Sequence, residues 1–110
     1  MSKSRHYSKF AVEAASLLGK QIKLERKMRQ WSESNLAERS GVSRATLQKI
    51  EAGDMSCAIG IVFEVASIVG ICLFESDNQP LVKNIQRTQD TLALLPKRIR
   101  VKNKKVDDDF

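Results

Sequence analysis

The segment from Trp31 to Gly53 reads WSESNLAERSGVSRATLQKIEAG. At helical spacing Val42, Leu47 and Ile50 fall on one side of its second half, and Arg44, Ala45, Gln48 and Lys49 fall on the other. Every long side chain on that outer side donates hydrogen bonds, and an acid appears only at Glu51. A helix carrying such donors near its N-terminus suits insertion into a DNA major groove. Arg44 then matches guanine O6 and N7, and Lys49 a second guanine or a phosphate. No competing chemistry is apparent. The chain has one histidine, His6, and no paired carboxylates at a plausible catalytic geometry, Gly-rich phosphate loop or metal-spaced cluster. No catalytic residue, cofactor or metal is expected.

The surrounding elements follow from periodicity and turn residues. Phe10, Ala14, Leu17, Leu18 and Ile22 predict a helix from about Ser8 to Met28, with Gly19 as a weak point where it could kink. Ser32 is a good N-cap for a short helix over 33–39, and Gly41 supplies a positive φ after it. Ser43 caps a second helix over 44–52, closed by Gly53. Two short helices around a glycine turn have the grammar of a helix-turn-helix. Trp31 is expected to plug the helix junction rather than stack on bases. A further helix starts at Ser56 or Cys57 and runs to Val69, with Ile59, Val62, Phe63, Ala66 and Val69 facing the core and Gly70 ending it. Ile71, Cys72, Leu73 and Phe74 form a short β-prone run. So short a strand is unstable alone, and the simplest partner is the same strand in a second copy. Pro80 opens a last helix over 81–95, stopped by Pro96, with Leu81, Ile85, Leu92 and Leu95 on one side. The tail over 97–110 is polar and reads as disordered in isolation.

The 110 residues are 42% apolar and 29% charged, a globular composition that allows one domain of ordinary size. The apolar stretch from Ala58 to Phe74 is too short and too interrupted to span a bilayer. No signal peptide is apparent. Cys57 and Cys72 lack CxxC spacing and are expected as buried thiols in a reducing cytoplasm. The net charge of +6 is uneven: residues 1–30 carry +6, 31–56 carry −1, 57–82 carry −3 and 83–110 carry +4. Two basic ends thus flank an acidic middle, and a polyanionic partner is expected. The chain closes on Asp107-Asp108-Asp109-Phe110, which reverses the sign.

The Trp31–Gly53 segment resembles the helix-turn-helix domain of the lambda-repressor-like (XRE) family. The lead-in LGKQIKLERKMRQWS, the core LAERSGVSRATLQKIEAG and the following apolar helix match it in order and spacing. The resemblance implies an all-α, five-helix DNA-binding domain. It places base readers at Arg44, Ala45, Gln48 and Lys49, and phosphate contacts at Ser43, Thr46, Lys23, Arg26, Ser32 and Asn35. It also implies a bridge from Arg26 to Glu51 that ties two helices. The family usually has Gln at the first position of the second helix as a phosphate clamp; Glu33 stands there. The run VFEVASIVGICLFES further resembles the HipB-type antitoxins, the DNA-binding partners of HipA-like serine/threonine kinase toxins. That implies a cytoplasmic, nucleoid-associated bacterial repressor. Two copies would pair through Ile71, Cys72, Leu73 and Phe74 and read a palindrome with half-sites about 34 Å apart. It would autoregulate its operon and restrain a kinase. Alternatives of other kinds are a stand-alone phage or chromosomal repressor, and a protein-interaction module that keeps the fold without reading DNA. Residues 1–75 are expected to form the DNA-binding and dimerisation domain, and 76–110 a helical extension with a basic, flexible tail.

Overall fold

The computed structural model describes residues 5–74 and 80–97. The expected domain boundary at 75/76, the basic tail beyond Lys97 and the acidic end at 107–110 lie outside them. Five helices follow in order: α1 (Lys9–Met28), α2 (Glu33–Ser40), α3 (Arg44–Glu51), α4 (Ile59–Ile68) and α5 (Leu81–Leu94). Among the described residues the fold is all-helical, with α2 and α3 set as a helix-turn-helix. One compact unit spans Met1–Leu73, and Phe74–Phe110 forms a second.

Serine side chains start the first three helices. Ser8 Oγ accepts from the Ala11 amide at 3.1 Å, Ser32 Oγ from Asn35 at 3.0 Å and Ser43 Oγ from Thr46 at 3.0 Å. Each such cap contributes about 1 kcal/mol. Gly41 sits at φ 72° just past α2, and the amide of Val42 reaches back to the Ala37 carbonyl at 3.0 Å. The turn between α2 and α3 is therefore tight and satisfied. α1 ends the same way without a glycine: Gln30 takes φ 60°, and Trp31 N–H donates to Arg26 O at 3.1 Å.

The core of the first unit is Ile22, Leu36, Ala37, Leu47, Ile50, Val65, Ala66 and Val69. It lies where α2 packs on α3 and α4, and α3 on α1. Three features add to or correct the sequence reading. First, the early part of the α1 stripe is outside the core, with Phe10 79% and Leu17 57% exposed. Second, Gly19 does not kink α1, which runs unbroken over 20 residues. It is buried where α1 crosses α3: a Cβ there would stand 2.5 Å from the Ile50 carbonyl oxygen and 2.7 Å from that of Glu51. Third, α4 begins at Ile59, not at Ser56 or Cys57, because Ser56 gives both its amide and its hydroxyl to the Asp54 carboxylate and closes a turn. Ile59 is accordingly exposed, and Val65 takes a core place.

Among the described residues no strand forms within the chain. Ile71 and Cys72 are irregular, and Leu73 and Phe74 lie in a turn with Phe74 at φ 50°. The cysteines are free thiols. Cys57 is half-buried, with its pKa pushed up by burial, while Cys72 is exposed rather than buried. α5 is opened by Pro80 without a side-chain cap. No helix among the described residues is long and apolar enough to cross a membrane.

Candidate nucleic-acid interface

α3 buries Leu47, Ile50 and Glu51. That fixes its rotation and leaves Arg44, Ala45, Gln48 and Lys49 exposed together on the opposite side. Every residue expected to read bases thus lies on one face of one helix. Ser43 and Thr46 stand at its N-terminus, where the Ser43 hydroxyl also donates to Thr46 Oγ1 at 3.0 Å. Their side chains are engaged in the cap.

The end of α3 is tied to the end of α1. Arg26 Nε donates to Glu51 Oε2 at 2.7 Å, and Nη2 donates to Oε1 at 3.0 Å. Nη1 donates to the Trp31 carbonyl at 3.1 Å. The hydrogen bond to Glu51 raises the Arg26 pKa despite burial, so the group stays charged. The residue is only 6% exposed. Three of its five guanidinium N–H groups hold Glu51 and the α1–α2 turn, which leaves two for the expected phosphate contact. Lys23 is exposed on α1.

Ser32 and Asn35, also expected on phosphate, form a reciprocal cap. Ser32 N–H donates to Asn35 Oδ1 at 3.1 Å while Asn35 N–H donates to Ser32 Oγ. Their oxygens start α2, while the Ser32 hydroxyl hydrogen and the Asn35 amide NH2 stay available as donors for the expected phosphate contact. An open, polar hollow at that helix start is lined by Arg26, Lys27, Ser32, Glu33, Ser34 and Arg44. A helix N-terminus with flanking cations attracts an anion, and Lys27 is the exposed cation that α1 brings there.

Glu33 has a role that the sequence did not disclose. Its Oε1 accepts from Gln48 Nε2 at 2.9 Å and from Arg44 Nε at 3.0 Å. The Gln48 and Arg44 hydrogen bonds hold its carboxyl below the usual glutamate range. The first turn of α2 thereby grips two residues of the exposed α3 face. Trp31 is half-buried against the core, with Arg39 4.1 Å and Arg29 5.7 Å from its ring centre. It serves the helix junction.

Two capped helices joined at Gly41, the second showing a donor-rich face, define a helix-turn-helix domain. Residues 22–71 match the Helix-turn-helix family (HTH_3). The matched segment runs from the buried Ile22 of α1 to Ile71 just past α4. Among solved structures the chain is similar to a protein described as MDT Protein, with 21% identity and a TM-score of 0.51 over 70% of this chain and all of that one. It is also similar to a HipB–O2 20mer complex, with 20% identity and a TM-score of 0.51 over 71% of this chain and all of that chain. At such identity the likeness is one of fold. No curated protein matches.

Proposed function

We propose that the chain is a sequence-specific double-stranded DNA-binding transcriptional repressor that inserts α3 into the major groove. The observation that carries this reading is the shared exposed face of Arg44, Ala45, Gln48 and Lys49 on a helix fixed from behind by its core residues and Glu51. The helix-turn-helix match over 22–71 supports it. In this reading Arg44 takes guanine O6 and N7 through its Nη nitrogens. Lys23 and Lys27 take phosphates, with the backbone amides at the starts of α2 and α3. Two copies read a palindrome with half-sites about 34 Å apart, pairing through Ile71, Cys72, Leu73 and Phe74.

The finer role we infer is that of a HipB-type antitoxin, cytoplasmic and acting on its own operon, with a HipA-like kinase as protein partner. The fold likeness to a HipB–O2 20mer complex favours it. A mobility shift on the DNA upstream of its own reading frame tests the repressor. Co-purification of a kinase encoded beside it separates antitoxin from stand-alone repressor. One observation favours a second reading, a protein-interaction module: Arg44 and Gln48 are both held by Glu33. A shift of the duplex by the wild-type chain excludes that reading.

A further inference from the structure

Glu33 lies in the first turn of α2, and its side chain is 28% exposed. One of its oxygens receives both Arg44 Nε and Gln48 Nε2. A carboxylate only accepts, so Gln48 must turn its amide nitrogen toward Glu33. That leaves Gln48 Oε1 and one N–H for other partners. Arg44 gives up Nε and keeps both Nη nitrogens, the fork that fits guanine O6 and N7. One acceptor thus sets the orientation of two side chains on the exposed face of α3. Its negative charge also sits in the hollow with Lys27 and Arg26, where it repels a phosphate drawn to the start of α2.

We propose that Glu33 is a specificity-determining positioning residue. It locks Arg44 and Gln48 in one orientation, and its charge weakens sequence-independent contact with the DNA backbone. The inference rests on the DNA-binding reading above. Phosphate contacts supply affinity without sequence information, and base contacts supply the discrimination. An acid at this place lowers the first and sharpens the second. A glutamine here would behave differently. Its amide both donates and accepts, so Gln48 could turn either way, and the charge-assisted hydrogen bond to Arg44 would become a neutral one.

The test is selection from a pool of randomised duplexes by the full chain, by Glu33→Gln and by Glu33→Ala, followed by affinities for the selected duplex and for poly(dI·dC) over a range of salt. The Ser32–Asn35 cap does not involve the Glu33 side chain, so both variants keep the start of α2. A bidentate side-chain–base pair discriminates by roughly 5- to 150-fold. The wild type should enrich a motif. Both variants should bind poly(dI·dC) a few-fold more tightly, with a salt slope steeper by up to about one unit. Their preference at the base pairs read by Arg44 and Gln48 should fall by about 5-fold or more. Variants that keep the wild-type base preference overturn the inference alone, even if their overall affinity rises. A wild type that enriches no motif overturns the DNA-reading function and the inference together.

Discussion

Arg26 and Glu51 meet as a two-point fork, Nε to Oε2 at 2.7 Å and Nη2 to Oε1 at 3.0 Å, with side chains only 7% and 6% exposed. The fork joins the last turn of α1 to the last residue of α3 and fixes the angle at which α3 is presented. An exposed pair of this kind would contribute about 0–1 kcal/mol. Burial changes the consequence of breaking it, because either partner alone becomes a buried, unpaired charge. Arg26→Ala or Glu51→Ala should each destabilise the fold by about 3–5 kcal/mol. The double replacement Arg26→Met with Glu51→Leu should lose far less than the sum of the two. Urea unfolding of the four proteins checks this, and additive losses would contradict it.

Gly19 gives a second stability test. On an open helix surface, alanine would be favoured over glycine by about 1 kcal/mol. Here the new Cβ meets backbone oxygens of Ile50 and Glu51 that no side-chain rotation can move. Gly19→Ala should therefore destabilise by about 1–3 kcal/mol, the usual range for overpacking. A rise in melting temperature would show that α1 and α3 separate easily.

Arg44 and Lys23 should fail in different ways. Arg44→Ala should weaken specific binding by about 1–3 kcal/mol and relax preference at one base pair. Lys23→Ala should weaken binding evenly across sequences and flatten the salt slope by about one unit. Competition titrations with single-base-pair variants of the site distinguish the two. A sequence-selective loss from Lys23→Ala would contradict the division of roles.

The Glu33 carboxyl has its pKa lowered by hydrogen bonds from Gln48 and Arg44, in that order. A depressed group contributes fully above its unfolded pKa, and the contribution is lost as pH falls through the lower folded value. The tie between α2 and α3 should therefore be complete above the ordinary glutamate range and disappear only below it. A carbon-13 titration of the Glu33 carboxyl follows this directly. Its midpoint should rise toward the ordinary value in Gln48→Ala and in Arg44→Ala. An unchanged midpoint in both would mean that the hydrogen bonds do not persist in solution.

Much of the first unit is legible from local signals. Ser8, Ser32 and Ser43 announce helix starts, and Gly41, Gly53 and Gly70 mark places where φ turns positive. The spacing of Leu47 and Ile50 gives the rotation of α3, and with it the exposed face. What escapes is long-range or atypical. Gln30 takes the left-handed turn after α1 with no glycine to advertise it. Gly19 looks like a helix weakness because its need, the backbone of α3, lies some 30 residues away. The apolar residues at the start of α1 follow the helical period, yet Phe10 and Leu17 remain outside the core, since periodicity tells which residues share a face and not whether that face is covered. Glu33 looks unfavourable when set against a phosphate, and its partners on α3 emerge only once the turn at Gly41 brings the helices together.

The most direct test of the account is quantitative footprinting of the full chain on the DNA upstream of its own reading frame. The account predicts two protected patches on one side of the duplex, centred about 34 Å apart, with the contrast between site and flanking sequence reduced in Arg44→Ala. No protection, or uniform protection that Arg44→Ala leaves unchanged, would contradict it.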